Sequence, residues 1–334
     1  MTILITGGTG YIGSHICVEL LNAGHDVILM DNLSNSYSNI ITKIKHITKK
    51  IPFLYKTDMM DKQAMEFIFQ THNIQCVIHT AALKSVSESI TNPLPYYNTN
   101  LISTLNLLDI MNQYHCKNLI FSSSSTVYGN TNQIPITEQQ PKGICTNPYG
   151  QTKSMIEQIL TDLTKADKDW NIMMLRYFNP AGAHESGLMG EQPKSVSNHL
   201  FCRIIDVATK KQPLLHIFGN DYDTPDGTCI RDYIHIMDLA AAHTIAIEKL
   251  KTLKGLRTYN IGTGIGYSIL DVIDTFNKIS KQSIPYEIQS RRKGDVAVYY
   301  ADTTLAKKEL NWYAKRNLND ICVSICRWAK INQI

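Results

Sequence analysis

The sequence predicts an α/β protein built on a Rossmann-type, doubly wound parallel sheet, accompanied by a smaller mixed α/β domain. Three observations carry this prediction. Short apolar runs alternate with helical stretches through the first half of the chain, a glycine-rich turn joins the first run to the first helix, and the pattern becomes irregular after Pro180. Apolar strands that alternate with helices indicate a parallel sheet covered on both faces.

The strands of this sheet are predicted where β-branched and apolar residues run together over a few positions. They are Thr2–Thr6, Asp26–Asp31, Phe53–Lys56, Cys76–His79, Asn118–Ser122 and Asn171–Arg176. Helical periodicity lies between them and is clearest over Ile12–Ala23, Lys62–Thr71 and Tyr97–Gln113. Ligands of such sheets bind at the carboxyl ends of the strands, so those ends are where site residues are expected.

The second half of the chain predicts a domain boundary and a return to the sheet. From Asn179 the segment NPAGAHESGLMGEQP is rich in glycine and proline, which indicates a loop. A helix over Asp238–Leu250 follows, and RTYNIG is expected to be a strand that rejoins the sheet. We therefore expect a first domain over residues 1–180, rejoined by about 233–262, and a substrate-binding domain over 181–334.

Composition narrows the classes of partner. The 334 residues are 43% hydrophobic with a formal net charge of +4, which favours a large core and argues against nucleic acid or a membrane surface as partner. No apolar run approaches the roughly 20 residues of a membrane span, and no cleavable signal segment is evident. The eight cysteines form no CxxC pair. We expect reduced thiols in a cytoplasmic protein and no metal site.

The glycine-rich turn predicts a dinucleotide site. In ITGGTGYIGSH, Gly7 and Gly10 allow a tight turn that can approach a pyrophosphate, and Gly13 allows close packing of helix on strand. The N-terminus of the following helix offers N–H groups and a positive dipole end to phosphates. The alternative is an ordinary strand-to-helix turn.

Acidic residues at the ends of the next two strands refine the choice of cofactor. Asp31 is placed to accept hydrogen bonds from an adenosine ribose and would repel a 2′-phosphate. No arginine follows in DNLSNSYSN, so the sequence predicts NAD and not NADP. Asp58 fits an adenine contact, although it could equally be the N-cap of the helix near Lys62.

Two further motifs predict catalysis. FSSSSTVYG places hydroxyls at the end of the fifth strand, and NPYGQTK places Tyr149 and Lys153 on one face of a helix. A free tyrosine has a pKa near 10, and an ammonium group about 5 Å away favours its phenolate by roughly 3 kcal/mol, or about 2 pKa units. Alone, the serines could be a loop and the pair a solvated helix face. The residues do not select among the four serines.

In this order the motifs resemble those of the extended short-chain dehydrogenase/reductase superfamily. In detail the sequence is similar to the UDP-glucose 4-epimerase family from residue 2 to about residue 330. The segments that carry the resemblance are GGTGYIGSH, DNLSNS, FSSSSTVYG, PYGQTK, LRYFNPAGAH, IFGNDYDTPDGTCIRDYIH and RRKGDVAVYYAD. It implies NAD-dependent interconversion of UDP-galactose and UDP-glucose by hydride abstraction at C4, rotation of a 4-keto intermediate and hydride return.

The resemblance also implies roles for individual residues. Ser124, Tyr149 and Lys153 would be catalytic, with Tyr149 acting on the sugar 4-hydroxyl. Cofactor contacts would come from Gly7, Gly10, Tyr11, Ile12, Gly13, Asp31, Asn32, Asn35, Ser36, Asp58, Met59, Thr80, Ala81, Lys84, Thr99, Tyr149, Lys153 and Phe178. Substrate contacts would come from Lys84, Ser124, Asn179, Asn198, His199, Leu200, His216, Phe218, Arg231, Arg292, Asp295 and Tyr299. A homodimer is implied, through helices such as Tyr97–Gln113 and Tyr149–Ala166.

Two arginines and a tyrosine bear on the substrate. Arg231 and Arg292 suit a diphosphate, because guanidinium pairs bidentately with phosphate. Alternatively, Arg231 could pair with Asp232 or Asp238. In the family, a bulky residue at the position of Tyr299 narrows the space beside the sugar 2-position, which predicts a preference for UDP-glucose and UDP-galactose over N-acetylated sugars.

The chain departs from the family pattern at a few positions. Thr99 and His199 stand where the family usually has asparagine, Ala82 replaces a glycine, and Ser197 and Cys202 replace prolines. Thr99 and His199 can still form hydrogen bonds. We expect these changes to leave the fold intact and to bear on substrate affinity and on the choice of sugar.

Several rival functions remain open from the sequence. A 4,6-dehydratase needs an acid and a base beside the first hydroxyl residue, whereas Ser125, Thr126 and Val127 follow here. An epimerase of UDP-N-acetylhexosamines, a hexuronic acid epimerase, another nucleotide-sugar-modifying dehydrogenase of this type and a non-catalytic NAD-binding regulator are the other candidates.

Overall fold

The computed structural model describes residues 1–131, 133–194, 199–292 and 294–333. The first half of the chain alternates strands and helices as predicted. Its elements are β1 (Thr2–Thr6), α1 (Tyr11–Asn22), β2 (Asp26–Asp31), α2 (Ile40–Thr48), β3 (Phe53–Lys56), α3 (Lys62–Thr71), β4 (Cys76–His79), α4 (Val86–Thr91), α5 (Pro93–Tyr97), α6 (Ser103–Gln113), β5 (Asn118–Ser124), α7 (Pro148–Ala166) and β6 (Asn171–Tyr177).

The second half contains shorter strands between longer helices. Its elements are β7 (Asn179–Ala181), α8 (Leu200–Ala208), β8 (Leu215–Phe218), β9 (Ile230–Arg231), β10 (Tyr233–His235), α9 (Ile236–Leu250), β11 (Gly255–Ile261), β12 (Tyr267–Ser268), α10 (Ile269–Ser280), β13 (Tyr286–Gln289), β14 (Val298–Tyr299), α11 (Thr304–Leu310) and α12 (Leu318–Ile331).

A seven-stranded sheet confirms the predicted fold class. Its strand order is β11-β6-β5-β4-β1-β2-β3, and β1 pairs in parallel with both β2 and β4. The strand predicted in RTYNIG is β11, which lies at the edge next to β6. Ile3, Leu4 and Ile5 are fully buried because helices cover both faces of a parallel sheet.

The chain divides into two compact units. Unit 1 comprises residues 1–129, 141–176 and 240–259, and unit 2 comprises residues 130–140, 177–239 and 260–334. Unit 2 has its own apolar core, in which Ile204 of α8, Phe276 of α10 and Ile321 of α12 are buried together. Small sheets β12-β9-β14, β13-β8 and β10-β7 complete it.

Two local differences from the sequence prediction bear on the site. The helix expected over Tyr97–Gln113 is broken by a π-helical turn at Asn98–Ile102, between α5 and α6. Strand β5 runs to Ser124, two residues beyond the predicted end, because the polar residues that end it are buried. Among the described residues, no helix is long and apolar enough to cross a membrane.

Candidate active site

The glycine turn between β1 and α1 has the backbone that a pyrophosphate requires. Gly7 has φ +67°, and a Cβ there would lie 2.9 Å from the Ala81 backbone. A Cβ on Gly13 would collide with the carbonyl of Gly7. Helix α1 begins at Tyr11 with no side-chain cap and no acidic residue in its first turn. The turn is therefore a cradle for an anionic group at a positive helix end.

Asp31 is fixed at the carboxyl end of β2 beside this turn. Its Oδ2 accepts from the Thr9 backbone N–H at 3.0 Å, and its Oδ1 accepts from the Leu33 N–H at 2.8 Å and the Ser36 hydroxyl at 2.9 Å. These bonds hold a carboxylate against the cradle, where it can accept the hydroxyls of a ribose.

Asp58 is bonded to Asn32, the residue after Asp31, and is not a helix cap. Its Oδ2 accepts from Asn32 Nδ2 at 2.7 Å, and its Oδ1 accepts from the Met60 backbone N–H at 2.8 Å. The N-cap of α3 is Asp61, whose side chain accepts from the Ala64 N–H. The alternative assignment of Asp58 as that cap is therefore wrong.

The loop after β4 is held by hydrogen bonds of Thr80 and Asn100. Asn100 is not among the residues that the sequence predicts for the site. Thr80 Oγ1 donates to the Thr6 carbonyl at 2.6 Å. Asn100, buried in the π-helical turn, accepts from the Leu83 N–H at 2.8 Å and donates to the Leu83 carbonyl at 3.1 Å. It also donates to Thr152 Oγ1 at 3.0 Å. Asn100 thus ties the loop that carries Lys84 to α7.

The end of β5 distinguishes among the four serines. Ser123 Oγ donates to Glu157 at 2.6 Å, so its hydroxyl is directed into the core. Ser124 Oγ accepts from Thr126 Oγ1 at 2.9 Å and forms a hydrogen bond with the Tyr149 phenol. The structure therefore places Ser124, and not Ser123, beside Tyr149.

Helix α7 carries the tyrosine and the lysine. It begins at Pro148, and the side chain of its N-cap Asn147 accepts from the Gly150 N–H at 2.8 Å. Lys153 is 3% exposed, and its Nζ donates to the Ser122 carbonyl at 2.6 Å. The same Nζ lies 6.0 Å from the centre of the Tyr149 ring. A proline at the first turn and an asparagine cap are favourable local signals for this helix start.

The pKa values of Tyr149 and Lys153 both differ from those of the free side chains. Burial raises the pKa of Tyr149, while the hydrogen bond with Ser124 and the charge of Lys84 act to lower it. A lowering by Lys153, which the sequence predicts, is not among these causes and stays a prediction. Burial lowers the pKa of Lys153 to about 7, and the Glu157 carboxylate opposes that shift.

A buried ion pair that the sequence does not predict lies next to the candidate catalytic residues. Glu157 is fully buried, and both of its oxygens accept from Arg176, at 2.9 Å from Nε and 2.7 Å from Nη2. The Arg176 guanidinium lies 4.6 Å from the centre of the Tyr128 ring. The signal available in the sequence was the spacing, since Glu157 follows Lys153 by one helical turn.

The remaining predicted cofactor residues divide between the units. Tyr11, Ile12, Asn35, Met59, Ala81 and Thr99 belong to unit 1, whereas Phe178 belongs to unit 2. In unit 2, Phe178 packs against Tyr299 with ring centres 5.9 Å apart, and both side chains are buried. Unit 1 thus contains the glycine turn, the two acidic residues and helix α7.

Arginines of unit 2 are held by local contacts. Arg231 Nη1 donates to the Ile230 carbonyl at 2.8 Å. Neither carboxylate suggested as its partner binds it, since Asp232 accepts from Thr263 and Asp238 pairs with Arg316. The alternative assignment of Arg231 to such an ion pair is therefore wrong within the described part of the chain.

Arg292 stacks on a second predicted substrate residue. Its guanidinium lies 4.7 Å from the centre of the Phe218 ring, and its Nε donates to Asp295 Oδ2 at 3.0 Å. The side chain of Arg292 is 51% exposed. Arg292 thus contacts two other predicted substrate residues, Phe218 and Asp295.

The other predicted substrate residues lie elsewhere in unit 2. His199 pairs with Glu191 at 2.8 Å and immediately precedes α8, which begins at Leu200. His216 is exposed on β8, and the Asn179 N–H donates to the Asp232 carbonyl at 2.9 Å. Asn198 lies outside the described residues.

No group of three or more potential metal ligands occurs among the described residues. All eight cysteines are free thiols.

Comparisons with known proteins converge on one group. A family model described as GDP-mannose 4,6 dehydratase matches residues 4–325. The chain is 49% identical over 332 residues to the UDP-glucose 4-epimerase of Bacillus subtilis, covering 99% of this chain and 98% of that protein.

Solved structures agree with these relatives. A UDP-glucose 4-epimerase from Bifidobacterium longum, in complex with NAD+ and UDP, is similar with a TM-score of 0.97 at 47% identity, covering 100% of this chain and 99% of that one. A UDP-Glc/GlcNAc 4-epimerase from Campylobacter jejuni is similar with a TM-score of 0.85 at 34% identity, covering 99% of each chain.

Proposed function

This chain belongs to the UDP-glucose 4-epimerase family, and from that premise we propose that it interconverts UDP-galactose and UDP-glucose with NAD as its resident cofactor. The observation that carries the proposal is the cluster of Ser124, Tyr149 and Lys153 at the carboxyl edge of a sheet whose glycine turn is shaped for a dinucleotide. Relatives across nearly the full length of the chain have the same activity in their names.

The residues present fit NAD. The cradle at Gly7 and Gly13 has no room for a Cβ, α1 has an uncapped N-terminus, and Asp31 is held beside them. A carboxylate at Asp31 favours a free 2′-hydroxyl over a 2′-phosphate. When bound, NAD supplies the acceptor and donor of the hydride at C4 of the sugar.

The chain's own residues manage the proton. Tyr149 takes the proton of the sugar 4-hydroxyl as C4 is oxidised and returns it when the 4-keto sugar is reduced from its other face. Ser124 bonds the phenol and orients the sugar hydroxyl. Lys84 supplies positive charge that favours the phenolate against the burial that raises the pKa of Tyr149, and Lys153 in its ammonium form would act in the same direction.

The sugar has to turn between the two half-reactions, so the substrate must be held elsewhere. Arg231 and Arg292 of unit 2 present guanidinium groups suited to the diphosphate. We assign NAD binding to unit 1 and binding of the UDP moiety to unit 2. The exposed Arg292, paired with Asp295 and stacked on Phe218, can exchange its surface contact for a phosphate.

A 4,6-dehydratase is the rival suggested by the name of the matching family model. That reaction eliminates water and needs an acid and a base beside the first hydroxyl residue. Ser125, Thr126 and Val127 occupy the turn after Ser124, and none of them carries a carboxylate. The epimerase is therefore the better-supported function.

Apolar side chains on two helices of unit 1 favour a homodimer. Ile102, Leu105 of α6 and Met155 of α7 are each at least 38% exposed. Exposed apolar residues on adjacent helices are typical of a subunit interface. Light scattering of the parent and of Leu105→Asp tests this; a parent that is monomeric at micromolar concentration contradicts the dimer.

The free cysteines are consistent with a cytoplasmic location.

The decisive experiment incubates the purified protein with UDP-galactose and measures UDP-glucose by chromatography. We expect conversion without net accumulation of NADH, because the cofactor is reoxidised in each turnover. Tyr149→Phe should lower kcat by about 10²–10⁴-fold. Tyr114→Phe, which removes only a hydrogen bond to Glu66, is the matched control. A 4-keto-6-deoxy product, or a Tyr149→Phe variant as fast as the parent, would contradict the proposal.

A further inference from the structure

Glu157 connects the catalytic helix to the catalytic strand. Helix α7 presents Tyr149, Lys153 and Glu157 at intervals of four residues, so the three side chains lie along one face. Three consecutive residues of β5 bind them. The Ser122 carbonyl accepts from Lys153, the Ser123 hydroxyl donates to Glu157, and the Ser124 hydroxyl bonds Tyr149 in the three contacts described above.

The position of Glu157 is itself fixed from a third element. Arg176 of β6 binds both carboxylate oxygens, and its guanidinium packs on the Tyr128 ring at 4.6 Å. The exposed fractions of the two side chains are 1% for Glu157 and 7% for Arg176. A bidentate, desolvated pair of this kind has little freedom to rotate, so the Ser123 hydroxyl is held at a defined place.

Glu157 also acts electrostatically on Lys153, as the ionisable groups around Lys153 show. Burial, and then the charge of Lys153, lower the pKa of His79 on β4 to about 3, so His79 is neutral there. Tyr149 on α7 faces Lys153 as a neutral phenol, and Lys84 faces Tyr149. Cys145 faces Glu157 and is a thiol whose pKa is raised by burial and then by that carboxylate. Glu157 is the carboxylate that stabilises the ammonium of Lys153.

We propose that Glu157 is a positioning residue for catalysis: bonded to Arg176 and Ser123, it holds the end of β5 that carries Ser124, and it stabilises the ammonium form of Lys153 one helical turn away. The catalytic part of this inference rests on the proposed function. The effect on the proton of Lys153 does not, and it can be measured without substrate.

A purely structural role for the ion pair is the competing explanation. Buried ion pairs can be replaced without loss of stability when both partners are removed, whereas removal of one partner leaves an unpaired charge. A structural role predicts changes in stability alone. A positioning role predicts a change in the pH dependence of kcat and in the titration of Lys153.

The test compares kcat–pH profiles of the parent and Glu157→Gln, which keeps the shape and removes the charge. Without the carboxylate, Lys153 should lose its proton at lower pH, so the alkaline limb of the profile should move down by about one pH unit. We expect KM to change less than twofold. Titration of Lys153 by NMR of ¹³C-labelled lysine should shift in the same direction.

Asp167→Asn is the matched control. Asp167 ends α7 and pairs with Lys117, which directly precedes β5, at 2.6 Å, so the same helix and strand are joined at their far ends. This variant should lose stability and keep the parent's pH profile. If Glu157→Gln behaves like Asp167→Asn, the proposal is overturned.

Two further variants keep the test decisive if Glu157→Gln does not fold. The double variant Glu157→Gln/Arg176→Met removes both charges together and should still shift the Lys153 titration. Ser123→Ala breaks only the bond between Glu157 and the strand and should lower kcat with an unchanged kcat–pH profile.

If the parent does not convert UDP-galactose, the proposed function fails, and the titration of Lys153 alone decides the role of Glu157. A Lys153 titration that is the same in the parent and in Glu157→Gln then rejects that role.

Discussion

The proposed catalytic cluster of unit 1 and the proposed substrate-binding residues of unit 2 are held in different ways. Lys153 and Ser124 are 3% and 8% exposed, and the residues around them bond partners tens of positions away along the chain. In unit 2, Arg292 is 51% exposed and pairs with a residue three positions away, and the 45% exposed His199 pairs with Glu191.

This difference matches two proposed roles. The buried residues of unit 1 would act in the chemical step, and the exposed residues of unit 2 would bind the substrate. Buried groups with long-range hydrogen bonds are preorganised, so they act on the transition state without reorganisation. Exposed pairs contribute little to stability and exchange readily for a ligand's phosphate. Substitutions in the first region should therefore change kcat and stability, and substitutions in the second should change KM.

The largest effect that would sharpen this contrast is expected for Lys153→Met. The variant should lose kcat by about 10²–10³-fold, since the cation beside Tyr149 disappears. It should also melt at a temperature higher by roughly 5 °C, because a buried ammonium is removed.

The pH dependence of that gain follows from the pKa of Lys153. It is about 7 in the fold and 10.5 in the reference state, so between these values the unfolded chain holds a proton that the folded chain has lost. The parent therefore gains stability as pH rises through this window. The advantage of Lys153→Met should be greatest below pH 7 and shrink toward pH 10.5. Thermal melts at several pH values check this, and an advantage that grows with pH would contradict it.

A smaller effect, confined to binding, is expected for Arg292→Ala. Loss of one charge-assisted contact to the diphosphate should raise KM by about 10–100-fold with kcat nearly unchanged. Arg291→Ala is the matched control, because Arg291 stacks on Tyr222 and pairs with Asp221 in a similar exposed setting. If the two substitutions raise KM equally in steady-state kinetics, the proposed binding role of Arg292 is contradicted.

Tyr299→Cys tests the choice of sugar. Tyr299 is buried against Phe178, and a smaller side chain should open space beside the sugar 2-position. We expect turnover of UDP-N-acetylglucosamine to rise by about tenfold relative to UDP-glucose, a size consistent with the 1–3 kcal/mol limit on steric discrimination. Tyr300→Cys, at the neighbouring position, should not change this ratio. Equal turnover of both sugars by the parent would show that Tyr299 does not discriminate.

The smallest effect is expected for His199→Asn, which restores the usual residue of the family. The His199–Glu191 pair is exposed on the histidine side, and such pairs contribute about 0–1 kcal/mol. KM should change by no more than about fivefold, with kcat unchanged. A loss of kcat in initial-rate measurements would place His199 in the catalytic cluster instead.

Most of the fold and the core of the site could be predicted because their signals are local. The glycine turn, the apolar strands and the four-residue spacing of Tyr149 and Lys153 each lie within one short window, where backbone sterics and periodicity decide the structure. The π-helical turn at Asn98–Ile102 was not predicted, because the sequence there has an ordinary helical pattern. The break accompanies hydrogen bonds of Asn100 with Leu83 and Thr152, which lie far from it along the chain.

What the sequence by itself determined is the order of elements, the NAD-type turn with Asp31, and the placement of Tyr149 and Lys153 on one face of a helix. Only the tertiary structure decided which serine lies beside Tyr149, that Asp61 and not Asp58 caps α3, and that Arg176 pairs with Glu157. The cap depends on which side-chain oxygen reaches an N–H group. The other two depend on where the ends of β5, β6 and α7 meet, and contacts between distant residues leave no pattern in any single stretch of sequence.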